Sequence, residues 1–348
     1  MQSETSFPQI ERPLALVLGA TGGIGGSVAR RLLQAGWRIR ALNRNAAEAA
    51  GKAPSFDWVQ GDAMDAQAVR TAAQGARLIV HAVNPPGYRD WDRLVMPMLD
   101  NTIAAARDNG ARILLPGTVY NYGPDSFPLI AETGPQNPRT RKGAIRVQME
   151  QRLQAAAAEG VPVLIVRAGD FFGPGAANNW FAQGLVTPGR PLRSVSFIAR
   201  PRIGHQWAYL PDVAETMVRL IEMSDRLGTF ETFHMDGVWD HDGLQMIEAI
   251  ERIAGRPLSR RRFPWWAVML ASPVVPLFRE LREMRYLWQC PVRLSNGKLR
   301  AMLGAEPRTP LEDAVRTTLL ALGCLPDTAG GTQQVGQAAA VKAGPHPA

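Results

Sequence analysis

The sequence predicts an α/β fold: a doubly wound parallel sheet over residues 12–170, a smaller C-terminal lobe over 171–325, and a disordered tail over 326–348. Three observations carry that expectation. An apolar strand runs through a glycine-rich turn straight into a helix. Strand and helix signals then alternate from Leu14 to about Arg167, as successive βα units do. The run Arg77-Leu-Ile-Val-His-Ala-Val83 is apolar almost throughout, the pattern of a central parallel strand covered on both faces.

Taken in order, Leu14-Ala-Leu-Val-Leu18 reads as the first strand, and a helix over Gly23–Ala35 follows it across Gly19, Gly22 and Gly25. The first glycine allows the sharp turn, the second lets a ligand approach the backbone, and the third lets the helix lie close on the strand. Trp37-Arg-Ile-Arg-Ala-Leu-Asn-Arg44 alternates as a second strand, and Phe56–Asp62 and Arg77–Val83 read as the third and fourth. Helices are expected at Trp91–Asn109 and Arg141–Glu159, with strands Arg112–Thr118 and Val161–Arg167 around them. From about Ala168 the regularity breaks, and glycine and proline become dense through Phe172–Pro211. Asp212 then reads as the N-cap of a helix ending at Glu222. A strand near Phe230–Met235 and helices over Gly243–Ala254 and Leu311–Leu322 complete the lobe. Beyond Pro326 the chain is glycine, alanine, glutamine and threonine, too polar and too simple to pack a core.

With 46% hydrophobic and 20% charged residues, the 348-residue chain has the make-up of a globular protein large enough for two lobes. Its formal charge is +8, yet apart from Arg260-Arg261-Arg262 the arginines are scattered among apolar runs. Nucleic-acid binding is therefore not expected, and the charge reads as a preference for anionic small molecules. Cys290 and Cys324 show neither metal-type spacing nor a disulfide framework, so no metal is expected and a reducing cytoplasm fits. The start Met1-Gln-Ser-Glu-Thr-Ser6 lacks the basic and apolar regions of a signal peptide. The longest apolar stretch, Phe263–Phe278, is too short and too proline-broken to span a bilayer. Burial in the second lobe is its expected fate, ahead of contact with a membrane surface or service as a lid.

The amides of the glycine turn and the positive end of the following helix favour an anion, and strand–turn–helix is the context of a pyrophosphate site. Dinucleotide binding follows. The second strand ends in Asn43-Arg44 without a carboxylate, and an arginine there suits a ribose 2′-phosphate, which favours NADP(H) over NAD(H). Asp62, ending the third strand, is positioned for the adenine amine. His81 reads as a hydrogen-bonded interior histidine rather than an acid–base group. The expected cofactor contacts are Gly19, Thr21, Gly22, Gly23, Ile24, Gly25, Arg44, Asp62, Ala63, Ala82 and Arg146.

Several motifs in the right order resemble the extended short-chain dehydrogenase/reductases, the family of sugar-nucleotide epimerases, dehydratases and related Rossmann-fold reductases. They are Gly19-Ala-Thr-Gly-Gly-Ile-Gly25, Gly117-Thr118-Val-Tyr-Asn-Tyr122-Gly123, Arg167-Ala-Gly-Asp-Phe-Phe-Gly-Pro-Gly175, Tyr209-Leu-Pro-Asp212-Val-Ala214, and Lys298 with Leu303-Gly304. The resemblance spans roughly residues 12–325, and Ala41-Leu-Asn-Arg44 is closer to the atypical, NADP-binding branch. It implies a substrate held between the strand ends and the C-terminal lobe, and a homodimer paired through helices Trp91–Asn109 and Arg141–Glu159. The family's chemistry uses a Ser/Thr and a Tyr-x-x-x-Lys pair on one helical face. The lysine there holds the nicotinamide ribose and lowers the tyrosine pKa, so that the phenol exchanges a proton as hydride moves. Thr118 stands at the Ser/Thr position. Counting back from Glu150 by the family's Lys-x-x-x-Glu spacing puts Arg146 at the lysine position and Lys142 at the tyrosine position. The catalytic tyrosine is absent.

Arg146 remains able to donate to a ribose or phosphate. Lys142 can supply the proton if Arg146 and partial burial depress its pKa; the bland alternative is two solvated cations on an amphipathic helix. Tyr120, Tyr122, Asp170, His205 and Tyr209 are the other donors, and Tyr122 also has a simple place packing the turn. The candidate catalytic set is Thr118, Lys142, Arg146 and Tyr122. Two functions stay open: an NADP(H)-dependent oxidoreductase acting on a carbonyl or hydroxyl, with a nucleotide-sugar epimerase or dehydratase as its enzymatic alternative, and a non-catalytic NADP(H) sensor, which the missing tyrosine favours.

Overall fold

The computed structural model describes residues 12–85, 91–176, 179–200 and 202–326, so nearly all of the expected tail lies outside the described residues. The chain begins with β1 (Leu14–Leu18), α1 (Gly23–Gln34), β2 (Arg38–Asn43), α2 (Ala46–Lys52), β3 (Asp57–Gln60), α3 (Ala66–Ala72) and β4 (Ala76–His81). It continues through α4 (Trp91–Asn109), β5 (Arg112–Gly117), the short β6 (Leu129–Ile130), α5 (Arg141–Ala158) and β7 (Val163–Arg167). Then come β8 (Asp170–Phe172), β9 (Ser194–Phe197), β10 (His205–Tyr209), α6 (Leu210–Glu222), β11 (Phe230–His234) and β12 (Val238–Asp240). The last elements are α7 (Gln245–Ala254), β13 (Ser259–Arg262), α8 (Trp265–Ala271), α9 (Pro276–Met284), β14 (Arg293–Leu294), α10 (Gly297–Leu303) and α11 (Leu311–Ala321).

Seven parallel strands form the main sheet in the order β11-β7-β5-β4-β1-β2-β3. Strand order reverses between β1 and β4, which opens the crevice at their carboxyl ends where such sheets bind ligands. All five residues of β1 are buried, and they alternate between two cores. Leu14, Leu16 and Leu18 pack with Leu99 and Ile103 of α4 and Leu153 of α5. Ala15 and Val17 pack on the other face with Val28 and Leu32 of α1 and Val213 and Met217 of α6. A period of two, apolar on both faces, is what a doubly covered strand requires.

The edge strand β11 and the covering helix α6 both come from the part of the chain expected in the second lobe. They complete the first sheet, which would otherwise end at an open β7 edge. Helix α6 starts at Leu210 with Pro211 in its first turn, so Asp212 is not its N-cap; a proline in the first turn sets the start instead. The Asp212 carboxylate accepts from the Thr309 amide (2.8 Å) and hydroxyl (2.6 Å). The glycine- and proline-dense region is more regular than expected, with a three-stranded sheet in the order β12-β10-β8 and the parallel pair β13-β9. Its own core gathers Phe172, Trp207, Ile250, Val315 and Leu319. The stretch 263–278 departs from its expected burial: Val268 is buried, but Trp266, Met269, Leu270 and Val274 face solvent. Its helix is one-sided, which composition alone does not reveal. Among the described residues no helix is long and apolar enough to cross a membrane.

Candidate active site

The expected cofactor residues collect at the carboxyl ends of β1 to β4. Gly19, Thr21, Gly22, Gly23, Ile24 and Gly25 form the β1–α1 turn and the start of α1; Arg44 follows β2, Asp62 and Ala63 follow β3, and Ala82 follows β4. Each turn glycine meets a different constraint. Gly19 has φ +93°, and a Cβ there would lie 2.4 Å from the Ala82 carbonyl oxygen, so the ends of β1 and β4 touch. A Cβ on Gly25 would lie 2.3 Å from the Gly19 oxygen. At Gly22 it would meet only that oxygen, at 3.3 Å, which leaves open space above the turn. Gly22 is also the N-cap of α1 and brings no side-chain cap, and the first turn holds no acidic residue. Uncapped amides facing open space fit a pyrophosphate.

The end of β2 reaches this turn, with the Asn43 amide 3.5 Å from the Thr21 hydroxyl. Arg44 beside it is exposed. Asp62 accepts from the Met64 amide at 3.0 Å, so its carboxylate shapes its own loop. His81 is the interior histidine expected: its Nδ1 lies 2.7 Å from the Thr102 hydroxyl, and burial followed by the nearby charge of Arg146 lowers its pKa to about 3.

Thr118 caps a short 3₁₀ turn, Val119–Asn121, accepting from the Tyr120 amide at 3.3 Å and lying 3.4 Å from Asn121 Oδ1. Helix α5 begins against that turn. Thr140 caps it by accepting from the Gly143 amide at 3.0 Å, and a Cβ on Gly143 would lie 2.2 Å from the Tyr120 carbonyl oxygen. Lys142, in the first turn of α5, is only 5% exposed, so the picture of two solvated cations does not hold for it. Arg146 lies one turn on, its guanidinium 5.3 Å from the Trp91 ring centroid. Tyr122 is a correction. Its side chain is fully buried, its hydroxyl lies 3.1 Å from His234 Nε2, and burial pushes its phenol pKa up. It packs the turn against His234.

Beneath these residues lies a polar network missed in the sequence. The fully buried Arg167, ending β7, donates to the Thr118 carbonyl (2.7 Å), to Glu150 of α5 (2.8 Å) and to His234 Nε2 (3.2 Å). Glu150 also accepts from Gln136 (2.9 Å), whose amide oxygen accepts from Asn121 (3.1 Å). Burial opposes the charge on Arg167, and Glu150 and Tyr122 together more than offset it, so its pKa is raised. The only available signal was a cation closing an otherwise apolar strand.

Asp170 and His205 form a second pair at 2.8 Å, with the imidazole stacked on Trp288 (centroids 3.7 Å apart, planes 10° apart). Trp288 lines a pocket of about 560 Å³ with Phe197, Phe263, Trp265, Arg200, Arg262 and Arg285. None of Thr118, Lys142 and Arg146 lines it; this pocket lies in the second region of the chain.

Residues 15–235 match the model of the NAD dependent epimerase/dehydratase family. The chain belongs to this family. The family's description names NAD dependent epimerases and dehydratases. Among curated proteins it is 27% identical over 186 residues to the uncharacterized protein y4nL of Sinorhizobium fredii (strain NBRC 101917 / NGR234), covering 47% of this chain. The match spans about half, 52%, of that relative's length. Among solved structures it is similar to UDP-glucuronic acid 4-epimerase from Bacillus cereus in complex with NAD, with TM-score 0.70, 16% identity, and coverage of 89% of this chain and 98% of that one. It is also similar to the Bordetella bronchiseptica enzyme WbmH in complex with NAD+, with TM-score 0.66, 17% identity and the same coverage of 89% and 98%. At these identities the likeness is one of fold.

Proposed function

We propose that this family member is an NADP(H)-dependent oxidoreductase acting on a carbonyl or hydroxyl of a small molecule, with Lys142 in place of the missing tyrosine. The observation that carries the reading is the burial of Lys142 in the first turn of α5, against the turn that holds Thr118. A nicotinamide dinucleotide bound across the β1–β4 crevice would supply or accept hydride. Thr118 holds the substrate oxygen by its hydroxyl, and the Lys142 ammonium delivers or retrieves the proton at that oxygen. Arg146 donates to the ribose. Arg167 holds the Thr118 carbonyl and, through Glu150, ties β7 to α5. Exposed Arg44 and the absence of an acidic residue closing β2 support the 2′-phosphate, hence NADP(H) over NAD(H). Residues 12–170 would then carry the cofactor and 171–325 the substrate. Two free thiols, Cys290 and Cys324, suit a reducing cytoplasm.

A nucleotide-sugar epimerase or dehydratase is the second reading. It is favoured by the pocket in which Phe197, Trp265 and Trp288 offer faces for a planar base while Arg200, Arg262 and Arg285 suit phosphates. The two readings part on net redox change. The test measures NADPH consumption over a panel of aldehydes, ketones and enones, alongside interconversion of UDP-sugars without net consumption. Net turnover that falls by roughly 10²–10⁴ in Lys142→Ala supports the reductase and its proton donor. Interconversion without consumption selects the second reading, and NADPH binding with neither overturns both.

A further inference from the structure

Helix α8 and the turn after it form an apolar surface that the fold leaves uncovered. Six large hydrophobic side chains are exposed among the described residues, and four of them fall within nine positions: Trp266 (74%), Met269 (42%), Leu270 (76%) and Val274 (80%). The first three sit at i, i+3 and i+4, one face of the helix. The opposite face is anchored. Val268 is buried, the Trp265 indole donates to the Ile198 carbonyl at 2.9 Å, and Arg282 of α9 donates to Ser272 at 3.2 Å. The uncovered side chains thus stand on a fixed support, and a concentrated apolar patch of this kind marks an interaction surface.

The flank of the patch identifies what it meets. Every residue of β13 is exposed, Arg260, Arg261 and Arg262 among them. Arg260 pairs with Glu251, whereas Arg261 and Arg262 have no salt bridge among the described residues. Arg260, Arg262 and Trp266 line one pocket, so cations and indole share one face of the molecule. Exposed Arg279 lies on α9, whose two arginines are matched in its sequence by Glu280 and Glu283, within a chain of formal charge +8. A second copy of this face would bring arginines against arginines.

We propose that this face docks on an anionic lipid surface. Trp266 and Leu270 enter the headgroup boundary, where an indole is favoured, and Arg261 and Arg262 meet the lipid phosphates. The inference does not depend on the catalytic reading. It is tested with the full chain by co-sedimentation with vesicles of mixed phosphatidylglycerol and phosphatidylcholine, against vesicles of phosphatidylcholine alone. The expected result is partition onto the anionic vesicles, released by salt. Trp266→Ser with Leu270→Ser, and separately Arg261→Glu with Arg262→Glu, should each weaken it by roughly tenfold. The salt and lipid dependence of the unaltered protein decides the matter if a variant fails to fold. No partition onto anionic vesicles, equal partition onto neutral ones, partition unaffected by either pair of substitutions, or self-association through this face without vesicle binding would each overturn the proposal.

Discussion

His81 and His234 are neutral imidazoles built into the framework of the site. The Thr102 hydroxyl donates to the Met98 carbonyl at 3.0 Å, so it accepts from His81, which therefore carries its proton on Nδ1. His234 likewise donates from Nδ1 to the Ile130 carbonyl (3.2 Å), leaving Nε2 to accept from Arg167 and Tyr122. Burial, reinforced by Arg146 for one and Arg167 for the other, lowers both pKa values to about 3. In the unfolded chain these rings protonate below about pH 6.5, while in the fold they stay neutral until far lower. The unfolded chain thus binds more protons between those limits, and stability falls as pH drops below about 6.5. Each histidine contributes about 1.4 kcal/mol per pH unit in that window. Urea unfolding at about pH 7 and about pH 5 should show the loss, and His81→Gln should reduce its slope. An unchanged slope would count against the neutral-ring assignment. His81 was legible because it interrupts an apolar strand. His234 was not, because its partners on β7 and in the Thr118 turn are distant in sequence.

Helix α5 shows how one missing side chain joins two elements. Gly143 sits where a Cβ would come within 2.2 Å of the Tyr120 carbonyl oxygen and 2.5 Å of Pro138 Cβ. Its absence lets the first turn of α5, with Lys142, press against the Thr118 turn. Gly143→Ala should destabilise the protein by about 2 kcal/mol and lower turnover by more than lost folded protein explains, because the helix must withdraw from Thr118. Denaturation midpoints and kcat, measured together, check this; wild-type values for both would refute the tight junction. The extents of α4 and α5 match the helices expected at Trp91–Asn109 and Arg141–Glu159 to within a residue. The seven-residue α2 and α3 were not expected, being shorter than the windows over which apolar periodicity can be read.

Across the whole molecule, the two parts of the chain are interleaved rather than hinged at one linker. Helix α6 lies beside α1, with Arg31 bonded to Glu215 across them, and β11 closes the first sheet. Asp212 of α6 reaches Thr309, just ahead of α11, through its amide and hydroxyl. Burial pushes the Asp212 carboxyl up while these two bonds pull it down, so the tether is partly offset by desolvation. Asp212→Ala should still cost about 1–2 kcal/mol, by leaving the Thr309 donors unpaired. Calorimetry should register a lower Tm, and an unchanged one would mean the tether carries no stability.

The sequence by itself determined the strand–turn–helix start, the alternation that makes a parallel sheet, and the departure from Tyr-x-x-x-Lys. Each of these is a local matter of periodicity, turn chemistry or spacing along the chain. Tertiary structure alone decided that Phe230–His234 joins the first sheet, that Tyr122 and Lys142 are both buried, that Arg167 holds the Thr118 turn, and that one face of α8 stays bare. Those outcomes depend on which distant segments come to share a surface, and burial, unlike periodicity, belongs to the assembled neighbours rather than to any one stretch of chain.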